Sequence, residues 1–376
     1  MASGLALAAA ATLSTAALAA CSSSPAGTAG TTSASLSNVS SNAVWSQLTL
    51  SDARAAFDSY VAITNQAAQA GNRKLAESVL NGAAKDTTST ALTIARKSHL
   101  QPPYTSYAYG APTFYLPEPP SAGDPQYFVV SVERTPFAGT TPMTPSTQDV
   151  AAGVQLPAAG RVLLLFEKSA AGGQWQLASA SQLSPGESVP ALATDSHGYV
   201  ISESFNKPSS SLLVTPALAP PLQASVVDDG PASQAAQVVA SGPLTTGLYQ
   251  ENKTSARGIT APSGDVYQWL LEGSNYGRLA LKTTDGSVLV FYTMYMDTTV
   301  ETKSALNQDI PIQPGPPISV PGFVQPLLAA KFLAPQKRLM VQDVVTFAAI
   351  DPSSADKSAK IQVLAIGGGV YSATAS

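Results

Sequence analysis

Histidine and cysteine are almost missing from this chain. His99 and His197 are the two histidines, and Cys21 is the one cysteine among 376 residues. Zinc and iron sites draw on clustered His, Cys and carboxylates. A histidine-based metal centre is therefore all but excluded, and no cofactor is expected. A lone cysteine cannot close an internal disulfide. Charge is scarce too: Asp, Glu, Lys and Arg make up 12% of the residues, about half the usual ~25%. The net charge is −4, with no basic stripe, so the electrostatic footprint of nucleic-acid binding is missing and nucleic acid is not an expected partner. Nor is there a polybasic patch for anionic lipid. No apolar run approaches the ~20 residues that span a hydrocarbon core.

What stands out is Leu18-Ala19-Ala20-Cys21. It closes an uncharged apolar run that begins at Leu5 and is followed by Ser22-Ser23-Ser24-Pro25. The run falls within the roughly 7–15 residues of a signal-peptide core. Ala20 and Cys21 mark the cleavage point, with small residues before it. The pattern resembles the lipobox of bacterial lipoproteins. That resemblance implies removal of residues 1–20, acylation of Cys21, and attachment to the outer face of the cell membrane through the lipid. One acyl chain holds only weakly, and the several chains such lipoproteins carry would suffice. Met1-Ala2-Ser3-Gly4 departs from the pattern, because a secretory signal begins with Lys or Arg and none is present.

Residues 21–47 are Ser, Thr, Gly and Ala with almost no charge, the composition of a flexible tether. Order is expected from residue 48. Thr49 or Ser51 can cap a helix that Gly71 ends, with Ala53, Ala56, Phe57, Tyr60, Val61, Thr64, Ala67 and Ala68 along one stripe. Shorter helices are expected over 73–80 and 87–97. Strands follow at 126–134, 161–168 and 174–182. The alternation and the Gly172-Gly173 pair read as an antiparallel hairpin, and 138–158 reads as a long loop. A proline-rich bridge over 184–220 separates a first domain, 48–185, from a second, 186–376, with a short helix–turn piece near 189–200. In the second domain, helices are expected over 222–227 and 232–240, and 248–259 reads as irregular. Strands are expected over 266–272, 278–283, 288–296, 340–347 and 361–370, with Asp285-Gly286 as a hairpin turn.

The fold class is therefore α+β: helices followed by an antiparallel sheet, twice, because the links between strands are too short for crossover helices. This order resembles the NTF2-like fold in two tandem copies. The stretch Gly277-Arg278-Leu279-Ala280-Leu281-Lys282-Thr283-Thr284-Asp285-Gly286-Ser287, continuing into Val288-Leu289-Val290-Phe291-Tyr292-Thr293, resembles tandem NTF2-like lipoproteins of unknown function from high-GC Gram-positive bacteria. The resemblance implies a curved sheet closed by helices, often around a pocket.

No constellation commits the chain to a chemistry. There is no G-x-S-x-G, and Asp195-Ser196-His197-Gly198 reads as an exposed turn. Gly367-Gly368-Gly369 lacks the Lys-Ser/Thr of a phosphate loop and reads as a bent strand. Asp228-Asp229-Gly230 is too short for a calcium loop and reads as a helix end. Glu133, Glu167, Asp297 and Asp343 lie in or beside strands, and a solvated face is the favoured reading for each, since Asp is rarely buried unpaired. Tyr104, Tyr107, Tyr109, Phe114, Tyr115 and Tyr127 read as core. The function expected is non-catalytic binding of a small molecule or an envelope protein. The alternative is a hydrolase or isomerase using a buried carboxylate.

Overall fold

The computed structural model describes residues 46–99, 106–121, 124–138, 141–142, 159–170, 173–263, 265–301, 318–333 and 338–376. The chain is α+β, with six α-helices and one large antiparallel sheet among these residues. Helix α1 (Leu50–Ala70) starts on a capping box in which Thr49 and Asp52 exchange hydrogen bonds, and Gly71 ends it in the left-handed conformation at φ 59°. Helices α2 (Arg73–Ser78) and α3 (Gly82–Lys97) follow, with Asn81 as the N-cap of α3. Strands β1 (Ser106–Tyr109), β2 (Thr113–Tyr115), β3 (Gln126–Ala138), β4 (Thr141–Pro142), β5 (Gly160–Lys168) and β6 (Gln176–Leu183) complete the first half.

The second half opens with α4 (Ala219–Asp229) and α5 (Leu248–Ser263) and continues with β7 (Val266–Gly273), β8 (Leu279–Lys282), β9 (Val288–Glu301), β10 (Ile318–Ser319), α6 (Gln325–Leu328), β11 (Phe332–Leu333), β12 (Arg338–Asp351) and β13 (Gln362–Ala375). Two expectations fail here. Residues 248–259 are helical, not irregular. The inward stripe of α5 carries Asn252 and Ser255, both buried, so polar residues occupy the positions where an apolar period would have betrayed the helix. Residues 189–200 hold no helix; they run extended on either side of the turn at 196–198.

The main sheet has the order β1-β3-β5-β6-β13-β12-β9-β7, with β2 also on β3 and β8 also on β9. The halves meet where β6 pairs with β13, through Leu183↔Ala365 and Gln182↔Ile366. Alternation then sorts the side chains by face. In the first half Phe128, Val130, Val132, Val162, Leu164 and Phe166 face the helices and pack on Phe57 and Tyr60. In the second, Val288, Val290, Tyr292, Met294, Val345 and Phe347 do the same beneath α4. The opposite faces of both halves share a third core: Val129, Leu163, Leu165 and Leu183 from the first, with Leu281, Leu289, Phe291 and Leu364 from the second.

The connection between halves completes this shared core. Val200 donates to Leu116 O at 2.8 Å and accepts from Glu118 N at 3.2 Å, which ties it to the end of β2. On its other side Lys282 N donates to Ile201 O at 2.9 Å and Glu203 N to Ala280 O at 2.9 Å, which ties the same stretch to β8. Backbone pairing therefore runs in a closed ring from β2 through β3, β5, β6, β13, β12, β9 and β8 and back across residues 200–203. Val200, with Val189 and Leu192, packs into the interior of that ring. The proline-rich bridge is a wall of the structure.

Candidate functional site

The described residues place one expected carboxylate inside the protein. Asp343 on β12 is 5% exposed. It lies beside Met296 of β9 and Val370 of β13, on the helix-covered face of the second half. Its Oδ1 has no hydrogen-bond partner. Burial, and then the charge of Asp297, pushes its carboxyl up to about 7. The expected solvated face is thus wrong for Asp343. The same-face neighbours Val341 and Val345 are buried as well, and the register of β12 leaves no way out to water for a short side chain between them.

The other three carboxylates do not join it. Asp297 lies on the opposite face and accepts from Gln342 Nε2 at 2.9 Å. Glu133 is exposed and pairs with Arg161 at 2.9 Å. Glu167 accepts from Asn81 Nδ2 at 3.2 Å and from Ser169 Oγ at 2.7 Å. His197 sits in an exposed turn, its backbone N–H held by Asp195 Oδ1 at 2.8 Å. Gly368 has φ 117°, and Gly367 and Gly368 lie where β13 leaves β6, as a bent strand requires. Among the described residues no group of three His, Cys, Asp or Glu could hold a metal ion. Tyr107, Tyr109 and Phe114 line the helix-covered side of the first half, whereas Tyr115 and Tyr127 pack against the shared core. Ala20, Cys21 and Tyr104 lie outside the described residues.

Further polar and aromatic side chains lie on the same face as Asp343. Tyr267 and Trp269 alternate with Leu271 along β7 and share the face of Asp343 across β9. The Tyr267 hydroxyl, pushed up to about 12 by burial, interacts with Thr298 and with Ser255 of α5. Trp269 Nε1 is buried without a partner. Ser255 and Asn252 descend from the helix onto the same side. A buried carboxyl, an indole N–H and a hydroxyl network thus face one interior, with one acceptor and one donor left open. Such a set can hold a ligand that supplies the missing partners, and a carboxyl near 7 can hold or move one proton. The sequence signal for this set was the inward phase of Trp269, since a buried indole N–H usually has a partner.

No helix among the described residues is long and apolar enough to cross a membrane. No curated protein matches the chain, and no solved structure matches it. A family model does match, over residues 46–375. The chain belongs to the family described as "Domain of unknown function (DUF8094)".

Proposed function

We propose that this protein is a lipid-anchored component of the bacterial cell envelope, held at the outer face of the membrane through Cys21, and that its body is two tandem NTF2-like units that bind a small molecule or a protein partner without catalysis. Support for the anchor comes from the limits of the family match. It begins at residue 46 and leaves the lipobox-like segment and the Ser/Thr/Gly tether outside. Support for tandem units comes from register. Phe114↔Val130 and Tyr107↔Pro136 in the first half correspond to Ala280↔Val290 and Leu271↔Met296 in the second, with the same spacing along the long strand. In both halves an early strand pair flanks one long strand, two further strands follow, and the last strands meet antiparallel.

The observation that carries the binding role is the buried polar groups left without partners on the helix-covered faces. They include Trp269 Nε1, Asp343 Oδ1 and Asp351 Oδ2 in one half, and Arg134 Nε in the other. Each such group costs about 1–3 kcal/mol while unsatisfied, a cost that a ligand supplying the partner would remove. Intact mass and membrane partitioning in a bacterial host, wild type against Cys21→Ala, test the anchor. A diacylglyceryl increment and a membrane fraction that both vanish in the variant are expected. A soluble, unmodified full-length wild type overturns the reading.

A second reading is an enzyme that uses Asp343 as a general acid or base. Its support is the carboxyl held near 7 on the same face of the sheet as Tyr267. Any turnover discovered for this protein should then be lost in Asp343→Asn and kept in Asp297→Asn. Retention of turnover in Asp343→Asn ends it.

A further inference from the structure

Among the described residues, the interior of the first half holds a cation without an anion. Arg134 on β3 stands directly opposite Tyr109 of β1. Its guanidinium carbon lies 4.6 Å from the centre of the Tyr107 ring, and the two tyrosine rings are 6.2 Å apart. Tyr60 reaches in from α1, and the positive charge of Arg134 acts on all three tyrosines. Arg134 makes no ion pair among the described residues, since its neighbour Glu133 turns to Arg161 on the other face. Arg134 Nε is buried without a partner, and the Tyr109 hydroxyl interacts with that of Tyr60. Burial keeps the Tyr109 hydroxyl firmly protonated, so it can serve as a donor. Phe57 and Phe114 form the wall next to it, with Phe57 5.6 Å from Tyr109 and 6.0 Å from Phe114.

A guanidinium offers five N–H donors in a planar fork and accepts nothing. Among the described residues its own protein supplies a ring face and a hydroxyl, but no negatively charged acceptor. A half-buried cation in that state is expensive. We infer that Arg134, Tyr109 and Tyr107 form a binding site for a small organic monocarboxylate with an apolar body. The planar carboxylate matches the fork, its second lone pairs reach Tyr109 Oη, and the apolar part packs on Phe57 and Phe114. One negative charge balances the one positive charge. A phosphate dianion would leave a charge uncompensated in a desolvated place, so the site selects against it. This inference rests on the reading of the protein as a binding module.

The test is calorimetric titration of the full-length protein in detergent at pH 7 with benzoate, acetate, hexanoate and inorganic phosphate. Benzoate or hexanoate should bind saturably at one per chain, and phosphate at least tenfold more weakly. Arg134→Gln should weaken carboxylate binding at least tenfold and Tyr109→Phe severalfold, with Arg134→Lys between them. In anion-free buffer Arg134→Gln should melt no lower than wild type, because it removes an unpaired charge. The inference is overturned if no carboxylate binds saturably, if Arg134→Gln binds as well as wild type, if phosphate binds as tightly, or if Arg134→Gln melts many degrees lower, which would make Arg134 a structural residue. Tyr109→Phe keeps the shape of the site and remains informative if Arg134→Gln does not fold. If the carboxylates fail while other small molecules raise the melting temperature, this inference alone falls. If no small molecule of any class does so, the small-molecule form of the binding-module reading falls with it, leaving a protein partner.

Discussion

The carbonyl oxygen of Ala180 fills the space that a side chain on Gly367 would need. This is where β6 of the first half crosses over β13 of the second, and only a missing Cβ lets them come that close. Across the same gap Ser181 Oγ and Thr346 Oγ1 share a hydrogen bond of 2.9 Å, and Thr346 Oγ1 donates to Ala180 O at 3.0 Å. Gly367→Ala should therefore destabilise the protein by about 3 kcal/mol or more, because the obstacle is backbone and cannot turn aside. Gly273→Ala, which meets nothing within 4 Å, should change stability by no more than about 0.5 kcal/mol. Chemical denaturation of both variants checks the contrast.

Gln223 and Tyr292 give a second expectation. Both are buried; Tyr292 Oη donates to Gln223 Oε1 at 2.6 Å, and Gln223 Nε2 donates to Leu244 O at 2.9 Å. Tyr292→Phe should cost about 1–3 kcal/mol by leaving one acceptor unpaired. Gln223→Ala should cost more, since it opens a cavity and strands both Tyr292 and Leu244. A double-mutant cycle should return a coupling of about 1 kcal/mol; a coupling near zero would contradict the network.

The pH profile should slope the unusual way. Asp343 is held at about 7 against a usual 3.8, Asp351 at about 7 and Asp228 at about 6, each chiefly by burial. The folded state thus holds protons that the unfolded chain has released. Stability should fall as pH rises from about 4 to 7 and level off above. Asp285, held below 3.8 by its hydrogen bond from Thr283, acts with the opposite sign but at lower pH. Asp343→Asn should flatten the slope and stabilise the protein at pH 8. Melting temperatures measured from pH 4 to 8 decide the matter, and an unchanged slope in Asp343→Asn counts against a buried carboxyl.

Separating the halves should unfold both. Residues 46–185 and 186–376 each keep one helix-covered face, but each exposes its share of the core that Leu163 and Leu165 form with Leu281, Leu289 and Phe291. Expressed alone, neither piece should show cooperative unfolding by circular dichroism. Co-expressed, they should reassemble into one complex on size-exclusion chromatography. A cooperative transition in either isolated piece would mean that the shared core is dispensable.

Much of this architecture was legible in the sequence, and the illegible parts share a cause. Strands such as Arg161–Lys168 announce themselves because both faces are buried, and unbroken apolar runs follow. Thr49 and Gly71 signal α1 at both ends through cap chemistry that is local. Helix α5 was hidden because Asn252 and Ser255 point inward, toward the face that also carries Tyr267. Asp343 was misplaced for a related reason. Alternation says that a residue changes face, but whether that face meets water depends on helices and strands distant in sequence. The role of residues 200–203 was invisible because its partners, Leu116 and Ala280, are remote along the chain. The polar residues at the candidate site are the ones that broke the pattern, as expected where function competes with folding.

The edges of the sheet follow from the same closure. Strand edges are templates on which a second chain can add itself and start an aggregate. The ring covers the edge of β8 and the chain just beyond β2, since residues 200–203 bond to both. Of the edges that remain, β1 has its Tyr107 backbone satisfied in both directions by the Asn65 side-chain amide, at 3.0 and 3.1 Å, and the Leu271 N–H of β7 is taken by the Asp228 carboxyl at 3.2 Å. A chain with so few charges to keep its copies apart is shielded at these positions by geometry instead: the backbone there is already taken and gives a neighbour nothing to zip onto.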